Sequence, residues 1–161
     1  DNLGGGMNNG WRVAKSLLTF ERLFLGSPKQ SQQVLQRLAR LATARGLFES
    51  PAFLDRFTKL RLDVADLESA FVRFADSVKR GQPLGPDISI LKIWSTETWQ
   101  RLSELLLEAA GQDAATLGAL EDCGVDVLSH YYYARPATIY GGSNEIQRNI
   151  LAREVLALPG E

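Results

Sequence analysis

The sequence predicts an all-α fold, an antiparallel up-and-down four-helix bundle. Apolar residues recur at alternating spacings of three and four between positions 53 and 78, and again between 91 and 109. This period places each set on one face of a helix. Short Gly- and Pro-containing segments separate the runs, and no segment shows the polar/apolar alternation of a half-buried strand. Long helices joined by short turns are typical of a bundle.

The two long helices have the clearest predicted bounds. The first starts near Pro51, runs to Arg80 and stops at Gly81, since glycine favours the left-handed conformation that ends helices. The second spans 87–110 and ends at Gly111. Small hydroxyl residues on its apolar face, Ser95 and Thr98, indicate a close approach of a neighbouring helix.

The remaining helices are predicted from shorter patterns. Residues 11–25 form a first helix, and 29–43 continue its direction after an interruption at Pro28, because proline breaks the backbone hydrogen-bond ladder. The last helices span 125–133 and 144–156, with a loop from Arg135 to Gly142 between them.

Composition limits the function. The chain has 161 residues, 45% of them hydrophobic, and a net charge of −1, so it can bury one core and should form one domain. Neither charge dominates, which argues against a nucleic-acid partner, and no run approaches the roughly 20 apolar residues of a membrane span. The single cysteine excludes an internal disulfide framework and favours a reducing compartment. With only one histidine beside it, the sequence argues against a transition-metal site.

The most informative segment lies between Tyr140 and Arg153. Gly141 and Gly142 lead directly into a helix start, and glycines there let the backbone approach a flat or phosphorylated ligand. Asn144, three residues before Gln147, fits a capping box, with Ser143 as the competing cap. The alternative is an ordinary junction between a loop and a helix.

This segment resembles the end of the acyl-CoA dehydrogenase flavoproteins. Three further parts agree in order: the start of the chain through Gly10-Trp11-Arg12-Val13-Ala14, the Arg45-x-x-Phe48 pair, and Lys92 followed by Thr96-Glu97. The resemblance covers nearly the whole chain. It implies that 1–161 is the C-terminal helical bundle domain of a longer chain, with 1–9 as a tail leaving the preceding β-domain. It also implies that this domain alone is inactive.

The chemistry that the resemblance implies is α,β-dehydrogenation of an acyl-CoA thioester with FAD as cofactor. A carboxylate removes the α-proton, and hydrogen bonds stabilise the charge on the thioester oxygen. In much of the family that carboxylate follows the tyrosine of the last loop, where this chain has Gly141. A minority supplies it from the first helix, at the position matched by Glu21. Glu21 is therefore the predicted base, and the alternative is a solvated helix residue.

The resemblance also implies the other site residues. Gly141 would donate its backbone N–H to the thioester oxygen. The predicted substrate-binding residues are Arg22 and Tyr140, and the predicted FAD-binding residues are Arg45, Phe48, Gly142, Ser143 and Glu145. Each of three residues has a structural alternative. For Phe48 it is a core position, which is slightly favoured; for Arg45 it is an unpaired surface arginine, which is equally favoured; and for Ser143 it is a helix cap.

The expected partners follow from the same resemblance. They are an acyl-CoA substrate, an electron-transfer flavoprotein or similar acceptor, and further chains, identical or homologous, in a dimer of dimers. A bacterial cytoplasm is the expected location, with the mitochondrial matrix as the alternative. Two other functions remain open: a non-catalytic partner subunit, in which Gly141 marks a dead site, and a helical interaction module.

Overall fold

The fold is all-α, as the sequence predicts. A computed structural model describes residues 9, 10, 21 and 23–159. Within these residues there are five α-helices and no strand, with one isolated bridge between Ala119 and Asp126. The helices are α1 (Lys29–Ala44), α2 (Pro51–Lys79), α3 (Ser89–Ala110), α4 (Leu128–Ala134) and α5 (Asn144–Ile150). Most of the predicted helix 11–25 lies outside the described residues; residues 23–25 are helical.

Both long helices end where the sequence predicts. The hydroxyl of Ser50 accepts a hydrogen bond from the backbone N–H of Phe53, which caps α2 at its start. The chain then turns at Gly81 (φ +73°) after α2 and at Gly111 (φ +57°) after α3. The predicted start of α3 at Asp87 is wrong by two residues, because Pro86–Ile88 forms a 3₁₀ turn first.

The last part of the chain departs further from the prediction. The predicted helix 144–156 is α-helical only as far as Ile150 and continues as a π-helix over Leu151–Val155. Helix α4 begins three residues later than predicted, at Leu128, and the predicted loop opens with a 3₁₀ turn, Arg135–Thr138. These irregular turns carry no apolar repeat of their own, so periodicity does not reveal them.

Helix α3 is the centre of the bundle. Its start lies beside the start of α1, where the Ser31 hydroxyl donates to the Ser95 carbonyl, and its end lies beside the end of α1, so the two helices run parallel. Helix α2 runs antiparallel to α3, since Arg56 pairs with Glu108 and Asp63 with Arg101. Twelve residues of α3 are buried, more than in any other described helix.

The predicted stripe on α2 faces the core, but only its middle is fully covered. Leu60, Val64 and Leu67 are buried, whereas Phe71 and Phe74 are half-buried around a smaller cluster of apolar side chains. At 1.5 Å per residue, α2 is about 43 Å long and so extends beyond the helices that cover it.

The core predicts a clear contrast between two leucines. Leu38 on α1 is fully buried, whereas Leu62 on α2 is 59% exposed. Replacing Leu38 by Ala should lower the free energy of unfolding by about 2–5 kcal/mol, because the cavity adds to the lost transfer energy. The same change at Leu62 should cost less than about 0.5 kcal/mol. Urea unfolding of the chain measures both, and equal losses would contradict the packing described.

Candidate active site

The two glycines form a tight turn before α5, which we call the glycine turn (residues 140–143). Gly141 has φ +66° and Gly142 φ +83°, both in the left-handed region that glycine enters at low cost. The buried Gln147 amide donates to the carbonyls of Gly141 and Gly142 at 3.2 and 3.3 Å. The backbone of the turn is therefore fixed from within α5.

Glu21 lies next to this turn. Its Oε1 is 3.8 Å from the point where a Cβ on Gly141 would stand, and the Cδ1 atom of Leu25 is only 2.3 Å from that point. The Glu21 side chain is exposed to solvent. The structure thus brings the predicted base and Gly141 together from separate parts of the chain. Arg22, predicted to bind substrate, lies outside the described residues.

A mostly apolar cavity of about 530 Å³ begins at Tyr140 of the glycine turn. Tyr140, the first residue of the turn, lines the cavity, and so does Leu25, which packs against Gly141. Partial burial raises the pKa of the Tyr140 phenol, which therefore stays neutral through the physiological range. The lining residues are Leu23, Phe24, Leu25, Ser27, Lys29, Gln30, Phe71, Ser95, Thr96, Trp99 and Tyr140.

The start of α5 is held by side chains with different roles. The Ser143 hydroxyl accepts a hydrogen bond from the Ile146 N–H at 3.5 Å, so Ser143 is the helix cap and the capping-box assignment of Asn144 is wrong. Asn144 is buried and bonded to α3. Glu145 is exposed, and its own backbone N–H and the Ser143 hydroxyl lower the pKa of its carboxyl.

Lys92 on α3 is fully buried, which its sequence position did not suggest. Its ammonium donates to Oδ1 of Asn144 at 2.8 Å. Burial lowers the pKa of Lys92, and the carboxylates of Glu145 and Glu97 partly oppose this. The sequence signal was the family resemblance, which includes Lys92 before Thr96-Glu97 but does not say that the lysine is buried.

Arg45 and Phe48 lie far from the glycine turn. The Arg45 guanidinium donates to Asp122 (2.9 Å), Asp113 (2.7 Å) and the Ala110 carbonyl (2.6 Å) at the end of α3. Ala110 is about 27 Å along α3 from Lys92, at 1.5 Å per residue. Phe48 packs edge-on against Phe53 and Phe57, with ring centroids 5.7 and 5.0 Å away. The predicted cofactor residues therefore fall into two separate groups.

Metal-binding clusters and membrane-spanning helices are both absent from the described residues. No group of three His, Cys, Asp or Glu side chains in this part of the chain is placed to hold a metal ion. None of the described helices is long and apolar enough to cross a membrane.

The chain belongs to the family of the acyl-CoA dehydrogenase C-terminal domain, whose profile matches residues 8–156. It is 35% identical over 164 residues to the acyl-CoA dehydrogenase IpdE1 of Mycobacterium tuberculosis, and 35% identical over 161 residues to IpdE1 of Mycolicibacterium smegmatis. Each match covers 98% of this chain but only 40% and 39% of the relatives. The chain thus spans about two fifths of their length.

Solved structures agree with this assignment. The ChsE4–ChsE5 complex from Mycobacterium tuberculosis contains a chain with 26% identity and a TM-score of 0.78; the match covers 98% of this chain and 43% of that one. The Tcur3481–Tcur3483 steroid ACAD has a TM-score of 0.83 at 19% identity, covering 98% and 42%. The second likeness shows the fold alone.

The contacts of Arg45 predict a stability that depends on pH. Replacing Arg45 by Gln should lower the free energy of unfolding at neutral pH by more than Arg40→Gln, an exposed control on the same helix. The hydrogen bond from Arg45 holds the pKa of Asp122 below its ordinary value. Its stabilisation is therefore present above the unfolded-state pKa, about 3.9, and is lost as the pH falls through the lower folded-state pKa.

Denaturant unfolding of the three proteins at neutral and strongly acidic pH measures this. The difference between the original chain and Arg45→Gln should shrink in acid and at high salt. A difference that stays constant from neutral to acidic pH would contradict the ion-pair account.

Proposed function

We propose that this chain is the C-terminal domain of an FAD-dependent acyl-CoA dehydrogenase and supplies its catalytic base from Glu21. One observation carries the proposal: the Glu21 carboxylate lies 3.8 Å from the place where a side chain at position 141 would begin. A carboxylate from the chain before α1 thus lies close to the place that a carboxylate on the glycine turn would occupy. Family membership supplies the reaction type.

Glu21 and Gly141 have complementary roles in the proposed reaction. The Glu21 carboxylate takes the proton from the α-carbon of the acyl-CoA thioester. The backbone N–H of Gly141 donates a hydrogen bond to the thioester oxygen, which stabilises the negative charge that develops there. Because this donor belongs to the backbone, the missing side chain at position 141 does not remove it.

The cofactor expected from the family is FAD, which accepts a hydride from the β-carbon when bound. The glycine turn fits a flat ring, since Gly141 and Gly142 present backbone without Cβ atoms. We propose Gly142, Ser143 and Glu145 as its contacts there. Arg45 fits less well, because its donors already serve Asp113, Asp122 and a carbonyl, so a pyrophosphate would meet two carboxylates.

The cavity beside the glycine turn is the proposed site of the acyl group. Its apolar wall and its volume of about 530 Å³ lie within the range of ligand pockets, about 300–1,000 Å³. An apolar acyl group suits this lining and this volume. Tyr140 and Leu25 would then contact the part of the acyl group nearest the thioester.

We propose that the complete protein forms an oligomer with identical or homologous chains and passes electrons to an electron-transfer flavoprotein or similar acceptor. Exposed apolar side chains near the end of the chain, Val155, Leu156 and Leu158, support an interface. The complex named for ChsE4 and ChsE5 favours a homologous partner. The mycobacterial relatives favour a bacterial cytoplasm over a mitochondrial matrix.

Replacing Glu21 by Gln in the complete protein tests the base. The amide keeps the size of the side chain but cannot accept the proton, so flavin should remain bound while its bleaching by acyl-CoA slows about 10²–10⁴-fold. Glu68→Gln, at an exposed position on α2, is the control and should bleach at the original rate. Anaerobic stopped-flow absorbance measures both, and an unchanged rate in Glu21→Gln would overturn the assignment.

Gly141 and Leu25 should show coupled effects. A Cβ at Gly141 would overlap Cδ1 of Leu25, whereas Gly46 has a similar φ of +64° with nothing within 4 Å of its Cβ position. Gly46→Ala therefore measures backbone strain alone, about 1–2 kcal/mol. Gly141→Ala should cost more stability than Gly46→Ala.

Adding Leu25→Ala to Gly141→Ala should recover the excess over the strain. Denaturant unfolding and the bleaching rate of the complete protein give the two readouts. Equal losses for Gly46→Ala and Gly141→Ala, or full additivity with Leu25→Ala, would contradict the described contact.

A non-catalytic partner subunit is the second candidate function, favoured by the glycine at position 141 and by the exposure of Glu21. In that case the complete protein would bind no reducible flavin alone, and Glu21→Gln would leave the activity of the heteromer unchanged. The same stopped-flow experiment, repeated with a homologous partner chain, separates the two functions.

A further inference from the structure

The buried Lys92 is a costly feature of the core. Its side chain has no solvent exposure, and among the described residues its one side-chain hydrogen bond goes to Asn144 Oδ1, at 2.8 Å. An ammonium group removed from water loses several kcal/mol of hydration. One neutral acceptor and the nearby carboxylates of Glu145 and Glu97 restore only part of it. An unbranched apolar residue such as Met would fill the same space without that cost. Packing alone therefore does not explain a lysine here.

Asn144 is the point where α3 and α5 are joined. It is also buried, and its amide donates to Thr96 Oγ1 and Glu97 Oε1, both at 3.1 Å. Glu97 in turn accepts a hydrogen bond from Arg148 on α5. Lys92, Thr96 and Glu97 thus hold the first residue of α5 from one face of α3.

The position of α5 is transmitted to the glycine turn by a second buried amide. Gln147, one helical turn after Asn144, donates to the carbonyls of both Gly141 and Gly142. A shift of α5 along or around its axis would move this amide and with it the two carbonyls. The peptide planes of these carbonyls also carry the N–H groups of Gly142 and Ser143. The Gly141 N–H lies in the preceding plane, which joins the first of them at the Gly141 Cα and would therefore be displaced with it.

We propose that Lys92 is a positioning residue for the glycine turn. Through Asn144 it fixes the start of α5, and α5, through Gln147, fixes the backbone that faces Glu21. The consequence for catalysis rests on the proposed function, because the Gly141 N–H must point at the thioester oxygen while Glu21 reaches the α-carbon. A misplacement of about 1 Å can cost roughly 10²-fold in rate.

The test uses the complete protein with Lys92→Met and Asn144→Leu, singly and together. Each single change should accelerate hydrogen exchange of the amides in residues 140–147 by about tenfold or more, because the local opening energy falls. Each should lower kcat by about tenfold to a hundredfold with KM for acyl-CoA changed less than about threefold. The double variant should lower kcat no further than the worse single variant, since each single change already removes the contact between Lys92 and Asn144.

Leu106→Ala is the matched control. Leu106 is also fully buried on α3 and lies roughly 20 Å further along it, so the change destabilises the same helix without touching Asn144. Its exchange at residues 140–147 and its kcat should remain at the original values. If Lys92→Met does not fold, Thr96→Val provides a second test. It removes the contacts of the Thr96 hydroxyl with the Asn144 amide group and with the Lys92 and Ile93 carbonyls, keeps the Lys92–Asn144 contact, and should give a smaller acceleration at the same amides.

The outcomes separate this proposal from the proposed function. If Lys92→Met and Leu106→Ala behave alike in exchange and in kcat, or if the double variant is fully additive, Lys92 has no positioning role. If the original protein dehydrogenates no acyl-CoA, the proposed function fails, but the exchange measurement still decides whether Lys92 holds the turn.

Discussion

Helix α3 is surrounded by other helices on most of its circumference, and the rest of the domain packs around it. Such a helix must place polar groups in the interior or be apolar all round. Here the hydroxyls of Ser95, Thr96 and Ser103 are satisfied by nearby carbonyls, two of them on α3 itself. Because these side chains are small and their hydroxyls are already hydrogen-bonded, α1 can approach α3 closely. The Ser31 hydroxyl therefore reaches the α3 backbone.

The polar groups on α3 fall into two regions with different consequences. Near its end, Arg45 donates hydrogen bonds to the Ala110 carbonyl and to the carboxylates of Asp113 and Asp122. These contacts join α1 to the segment that follows α3. Near its start, Lys92 and Thr96 meet α5, so the same helix that organises the core also reaches the candidate site. The proposed catalytic contacts are thus built on the rigid centre of the domain, although Glu21 and the glycine turn come from opposite ends of the chain.

Much of the fold could be predicted from sequence because it rests on local signals. Periodicity and the terminal glycines place α2 and α3 within two residues, and Pro28 marks the start of α1. The irregular end of the chain could not be predicted, since the π-helix over Leu151–Val155 depends on packing against other elements rather than on its own residue pattern.

The candidate site was predictable in part, and for a different reason. Glu21 and Gly141 were paired through family resemblance, since nothing in their spacing relates positions 120 residues apart. The roles of Asn144 and Lys92 escaped sequence reasoning, because an Asn beside a Ser at a helix start suggests capping and a lysine suggests solvent. Only the tertiary contact between α3 and α5 assigns them to the interior.

The overlap between Leu25 and the empty Cβ position of Gly141 also constrains how such a site can change over time. A carboxylate at position 141 would require the Leu25 side chain to move aside and would place a Cβ on left-handed backbone, so a single substitution there carries a cost in stability. A smaller residue at position 25 would remove the steric part of that cost. Among homologous sequences, a side chain at the position of Gly141 should therefore accompany a smaller residue at that of Leu25. Moving the base between its two locations should then involve a replacement at both positions.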